Sequence, residues 1–279
     1  MRIKNLFLFL GGAFFLGSCL WVSVIHAAPN QKTDKEREAL VGPVKTVFVE
    51  IGKISKDDSG EWIPGARMPW LSTTYDIKGN QVEEDQLYNE ESLDFKSVFE
   101  HDSEGRLKGG LEYDYKGVVA FKWTYMHDDA AMKVTEKRVF PNEVLFSTSV
   151  YQYDSRGNLI EEIRSHTEAA NSFKWVYTHD DAGRLIEEAF YLIRSKPLLN
   201  QRAKSLNYKS VYSYGKGAFP TRKIHYGPSG TVESDKRFRY EYDAEGNWIT
   251  QTAWESSTRD GAPELEPTEV TFRTITYYP

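Results

Sequence analysis

The sequence predicts an all-β protein, an antiparallel meander of β-hairpin repeats forming a curved sheet, a half-shell or a flattened barrel. Three observations carry this reading. A turn motif recurs at a fixed interval, the residues before each turn alternate between aromatic and polar, and aromatics make up 14% of the 279 residues, enough to build a core without a disulfide framework.

The turns come first. Tyr75-Asp76-Ile77-Lys78-Gly79-Asn80 recurs as His101-Asp102-Ser103-Glu104-Gly105-Arg106, as Tyr153-Asp154-Ser155-Arg156-Gly157-Asn158 and as His179-Asp180-Asp181-Ala182-Gly183-Arg184. A degenerate copy lies at His127-Asp128-Asp129-Ala130-Ala131, so the aspartates stand at 76, 102, 128, 154 and 180, each step being 26 residues. Asp can accept hydrogen bonds from its own backbone two residues on, and Gly supplies the positive φ of a type I turn followed by a G1 bulge. Ala131 breaks this rule, so its turn is expected to be strained or of another type. Tyr226-Gly227-Pro228-Ser229-Gly230 keeps the aromatic and the Gly, and Tyr242-Asp243-Ala244-Glu245-Gly246-Asn247 restores the motif after an insertion near Lys196 to Asn207.

The strands follow from the spacing. One residue before each Asp stand Tyr75, His101, His127, Tyr153, His179 and Tyr242; three before stand Thr73, Phe99, Tyr125, Tyr151, Tyr177 and Tyr240; five before, Trp123, Trp175 and Phe238. Between them lie Lys122, Thr124, Lys174, Thr178, Arg237, Arg239 and Glu241, so one face is aromatic and the other wet. A slip of one residue would expose three aromatics per strand, at about 2 kcal/mol each. A second turn is expected halfway through each period, near Asn89-Glu90, Lys116-Gly117, Pro141-Asn142 and Thr167-Glu168. The product is a dozen or more strands over residues 44–279, whose first and last edges need cover or charge.

Ahead of the repeats, residues 1–28 have the pattern of an export segment. Arg2 and Lys4 precede an apolar run from Leu6 to Ile25 that ends in Ala27-Ala28. Three fates fit it: cleavage after Ala27 or Ala28, retention as a membrane anchor, or lipid attachment at Cys19 within Leu16-Gly17-Ser18-Cys19, which resembles a lipobox. All place the protein outside the cytoplasm, secreted or in the cell envelope. Residues 29–43 are charged and are expected to form a linker. The net charge of −6, and the single Cys, argue against a nucleic-acid binder and against a Cys-based metal site.

The Tyr-Asp-x-x-Gly-Asn-Leu pattern, clearest from Tyr153 to Leu159, resembles the YD repeat of RHS-type bacterial proteins, toxin-complex proteins and teneurins, over residues 70–255. The resemblance implies hairpins that coil into a hollow shell, and carbohydrate or cell-surface binding. The tail from Glu255 to Pro279 has neither the length nor the motif of a toxin or a self-cleaving junction, so only the repeat fold carries over.

Chemistry is sparse by comparison. His101, His127 and His179 lie two strands apart, about 10 Å, too far to share a zinc whose nitrogen ligands sit about 2 Å away. No phosphate loop, nucleophile elbow or HExxH helix is present, and no cofactor is expected. If the parity after each turn follows Leu159, Ile163 and Leu185, then Glu161 and Glu187 share the aromatic face, which makes them candidates beside Trp123, Tyr125, Trp175 and Tyr177 for a glycan site. The expectation is an exported, non-enzymatic scaffold binding a glycan or a surface protein, touching membrane only through its N-terminal segment. The rivals are a polysaccharide hydrolase using Glu161 and Glu187, a purely structural surface protein, and a lipid-facing outer-membrane barrel, which the acids in every post-turn strand oppose.

Overall fold

The computed structural model describes residues 32–89, 92–167, 171–196, 201–259 and 262–279. The export segment, with Cys19 and the alanines at 27 and 28, lies outside the described residues.

The chain is an antiparallel meander closed into a barrel. β1 (Val44–Lys56) leads to β2 (Trp62–Pro64), three residues that pair with the end of β1. Then follow β3 (Met68–Tyr75), β4 (Gln81–Asn89), β5 (Ser92–His101), β6 (Leu107–Asp114), β7 (Val119–Asp128) and β8 (Lys133–Val139). Continuing round are β9 (Leu145–Tyr153), β10 (Leu159–His166), β11 (Asn171–His179), β12 (Leu185–Lys196) and β13 (Gln201–Tyr214). The circuit ends with β14 (Pro220–Tyr226), β15 (Val232–Tyr242), β16 (Trp248–Arg259) and β17 (Ala262–Tyr277). From β3 on, each strand bonds the next, and β1 pairs with both β3 and β17, so 16 of the 17 strands form a ring. The edges expected to need cover bond each other instead.

The local chemistry explains the turns. In each full copy of the motif one Asp oxygen accepts from the backbone N–H two and four residues on, as Asp154 does from Arg156 and Asn158, both at 2.9 Å. The other oxygen is held by the residue four on, Asn158 at 3.0 Å or, in the next copy, Arg184 at 2.8 Å, except at Asp243, where the Tyr277 hydroxyl donates to it. Gly157 and Gly183 take φ of 81° and 77°, as the bulge requires. The degenerate copy is a turn of another type, with the positive φ moved to Met132 (50°) and no register shift between β7 and β8. The halfway turns at Lys116-Gly117 and Pro141-Asn142 fall at the places expected, and those near Asn89-Glu90 and Thr167-Glu168 reach outside the described residues. Gly227 to Thr231 is not a copy in phase: it joins β14 to β15 at the opposite end, and residues 215–219 make the sixth turn of the Asp-Gly end.

Residues 33–43 are not a free linker. Thr33 and Glu36 form a capping box on the short helix α1 (Asp34–Arg37), which lies against the Asp-Gly end. Asp34 accepts from the Gln81 N–H at 2.8 Å, the Lys35 N–H donates to Gly79 at 3.0 Å, and Val41 exchanges two hydrogen bonds with the Asn247 side chain. Leu40 is buried against Val44, Val47, Val49 and Tyr75.

Candidate functional site

Paired residues in the register share a face, which fixes the inner wall. Tyr125 is opposite Glu136, Tyr151 opposite Glu162, and Tyr177 opposite Glu188. The wall therefore alternates Tyr, three residues before each turn Asp, with Glu, eight after it. Tyr151 and Tyr153 are buried, Tyr125 and Tyr177 half-buried. The proposition that successive tyrosines share one interior surface thus holds. In the next hairpins Thr73 faces Glu84, and Tyr240 faces Gln251, in the same positions.

Trp123, Tyr125, Trp175 and Tyr177 are brought to this wall. Glu161 and Glu187 are not. The register shifts between Leu159 and Glu161, and between Thr178 and His179 opposite Leu185, insert one residue just after the turn. The bulge reverses parity: Leu185 points in, and so does Glu188, three residues later rather than two. Glu161 faces outward in an ion pair with Lys174, and Glu187 pairs with Lys209 at 3.3 Å. Glu136, Glu162 and Glu188 are the inward carboxylates that sequence reasoning missed, although their constant distance of eight from the turn Asp was there to be seen.

Each inward acid is held by its neighbours. The Tyr125 and Tyr151 hydroxyls both donate to Glu136 Oε2, at 3.1 and 2.8 Å. Arg164 donates to Glu162 at 2.9 Å, and Tyr208 to Glu188 at 2.7 Å. Arg138 pairs with Glu112 and lies 4.4 Å from the Phe121 ring centroid. Burial raises the Glu162 carboxyl, against the pull of Arg164. Glu84 is pushed up to about 7, first by burial, which the Gln81 amide offsets and the charges of Glu38, Asp85 and Glu112 reinforce. Two hairpins lack the acid, one of them carrying Gln251. In the other, Gly110 stands in the place of the acid, because the Trp123 ring and the Val98 carbonyl would lie 2.9 and 2.3 Å from a Cβ there.

Farther from the Asp-Gly end the wall becomes aromatic. Phe121, Phe140, Phe146, His166, Phe173, Trp175, Phe190, Tyr208 and His225 form a continuous arc over β7 to β14, neighbouring centroids being 4.8 to 6.3 Å apart. Phe190 is buried and the rest are half-buried. A ring of 16 strands is too wide for side chains to fill, so inward groups that are half-buried border a water-accessible lumen. The His127 Nε2–H donates to the Leu107 carbonyl at 2.8 Å, and His101 contacts Asp34 at 3.3 Å. Both histidines have structural partners at the turn end.

The outer face is charged. Besides the two pairs above, Lys96 meets Glu83 at 2.6 Å, and Arg222 meets Asp235 through two bonds of 2.7 and 2.6 Å.

No family model matches the chain, and no curated protein matches it. Among solved structures it is similar to a porin-like protein from Bacteroides uniformis ATCC 8492, with a TM-score of 0.49 and 11% identity, covering 85% of this chain and 98% of that one. It is also similar to TcdB2-TccC3, with a TM-score of 0.29 and 14% identity over 77% of this chain, and to a TcdB2-TccC3-TEV structure at 0.30 and 11% over 71%. The chain spans 14% of the length of each of those two.

Proposed function

We propose that the protein is a non-enzymatic binding barrel of the cell envelope that takes a glycan along its inner wall. The observation that carries this is the arc of rings from Phe121 to His225 beside a row of hydrogen-bonding Tyr and Glu side chains. Sugar rings present apolar faces and a rim of hydroxyls, and a wall of aromatic faces beside acceptors and donors suits both. The Asp-Gly hairpins are read as YD-type repeats on the same basis as in the sequence. Catalysis is the weaker reading. Glu136, Glu162 and Glu188 stand side by side on one wall, whereas a glycosidase places its two carboxyl groups on either side of the scissile bond.

The test is a glycan array probed with the wild-type barrel and with Trp175→Ala, each checked by circular dichroism and thermal melting. Binding lost with the fold retained supports the reading. Binding by neither protein, or unfolding of the variant, returns Trp175 to a purely structural role.

A further inference from the structure

Charge is distributed unevenly inside the barrel. From β4 to β12 the inward carboxylates are Glu84, Glu112, Glu136, Glu162 and Glu188, and the inward cations are Arg138, Arg164 and, at the far end of β12, Arg194. Arg138 is committed to Glu112 and Arg164 to Glu162. Glu136 and Glu188 are held only by tyrosine hydroxyls among the contacts described, and both are partly exposed on the inner wall. The aromatic arc runs beside them, with Trp175 and Phe190 at 4.8 Å and Phe190 and Tyr208 at 5.3 Å. Arg164, already bonded to Glu162, is the cation that also acts on Glu136, and Glu188 has none among the described contacts. Carboxylates in excess of cations next to aromatic faces favour a positively charged ligand, through Coulomb attraction and through the negative faces of the rings.

A second observation is independent of the acids. The Ser149 hydroxyl, 1% exposed and in register with Glu136 and Arg164, makes no hydrogen bond among the described residues, nor does the indole N–H of Trp123, which is 6% exposed. A buried polar group left without a partner costs about 1 to 3 kcal/mol. Serine oxygen accepts from an ammonium group, and indole N–H donates to a sugar hydroxyl.

We propose that the inner wall selects amino sugars with free amines, the ammonium groups being taken by Glu136 and Glu188 and the ring faces by the aromatic arc. The inference rests on the glycan-binding reading and narrows it. The test is calorimetry with the full barrel, comparing a glucosamine hexasaccharide with the N-acetylglucosamine hexasaccharide at a pH where the amines are protonated. The free-amine oligomer binds at least tenfold tighter, the advantage shrinks with added salt, and Glu136→Gln with Glu188→Gln removes it. Gln keeps an acceptor for each tyrosine, so the fold survives and thermal melting verifies it. Equal affinity for the two oligomers, or a preference that persists in the double variant, overturns the inference and leaves glycan binding standing. Binding of neither overturns both.

Discussion

Glu84 allows the interior electrostatics to be tested without any ligand. Its carboxyl faces inward opposite Thr73 and Ser97, accepts from Gln81 Nε2 at 2.9 Å, and has Glu38, Asp85 and Glu112 for company, with no cation among its contacts. Moving this group from 4.5 to about 7 on folding corresponds to about 3 kcal/mol, at about 1.4 kcal/mol per tenfold change in the proton equilibrium. Contact with lumen water lowers that toward about 2 kcal/mol. The sign follows from proton counting. Between 4.5 and about 7 the folded state holds a proton that the unfolded state has released, so stability is full at low pH, falls as pH rises through this window, and is level above it. Glu84→Gln keeps the shape and removes the charge. Urea unfolding at pH 5 and pH 8 is expected to show the variant more stable than wild type at pH 8 by about 2 to 3 kcal/mol, and by less than about 1 kcal/mol at pH 5. Other raised carboxyls such as Glu162 and Glu269 shift both proteins alike, so the difference isolates Glu84. A wild type and variant that differ by the same amount at both pH values would refute the argument.

Other consequences follow from packing and turns. Gly110→Ala puts a methyl group 2.3 Å from the Val98 carbonyl and 2.9 Å from the Trp123 ring, and denaturation is expected to show a loss of about 3 kcal/mol or more. Asp154→Ala removes the acceptor for Arg156, Asn158 and the Asn158 side chain, which costs about 1 to 2 kcal/mol by thermal melting, whereas Asp154→Asn recovers part of it. Leu40→Ala lowers stability by about 2 to 3 kcal/mol, since residues 33–43 are docked; a melting temperature unchanged from wild type would make them the free spacer that their composition suggests. Residues 32–279, expressed without the N-terminal segment, are expected to stay monodisperse in buffer without detergent by light scattering, because Lys174, Lys209, Lys96 and Arg222 ring the outer face.

The period, the turns and the tyrosine column are legible in the sequence because each depends on a local rule. Asp bonds to its own backbone, Gly takes positive φ, and strands alternate. The inward glutamates are set by something less local. The bulge after each turn leaves no mark at Ile160 or Ile186 that differs from an ordinary strand residue, yet it moves every side chain beyond it to the other face. The motif itself is also ambiguous about place. Asp114 accepts from Lys116 and Val118, both at 2.9 Å, and Gly117 has φ of 72°, which is the same turn at the opposite end of the barrel. Turn chemistry therefore marks where a chain reverses and does not mark which rim it belongs to. Closure was beyond reach for a similar reason, since the pairing of Val44 to Lys53 with Glu269 to Tyr277 joins strands more than 200 residues apart.

The two faces of the barrel together explain why the ring closes. A lipid-facing barrel puts apolar groups outside and water within, and a Lys or Arg at mid-membrane on its outer face costs about 2 to 4 kcal/mol. Here the outer face of hairpin after hairpin carries a cation paired with an acid on the adjoining strand, while Tyr, Trp and Phe point inward. An open sheet of the same hairpins would expose two rows of unpaired backbone groups, on β3 and β17. Residues 44–56 bond to both of those edges at once, and α1 with Leu40 then covers the Asp-Gly rim they leave. The aromatic arc of β7 to β14 lies toward the opposite rim.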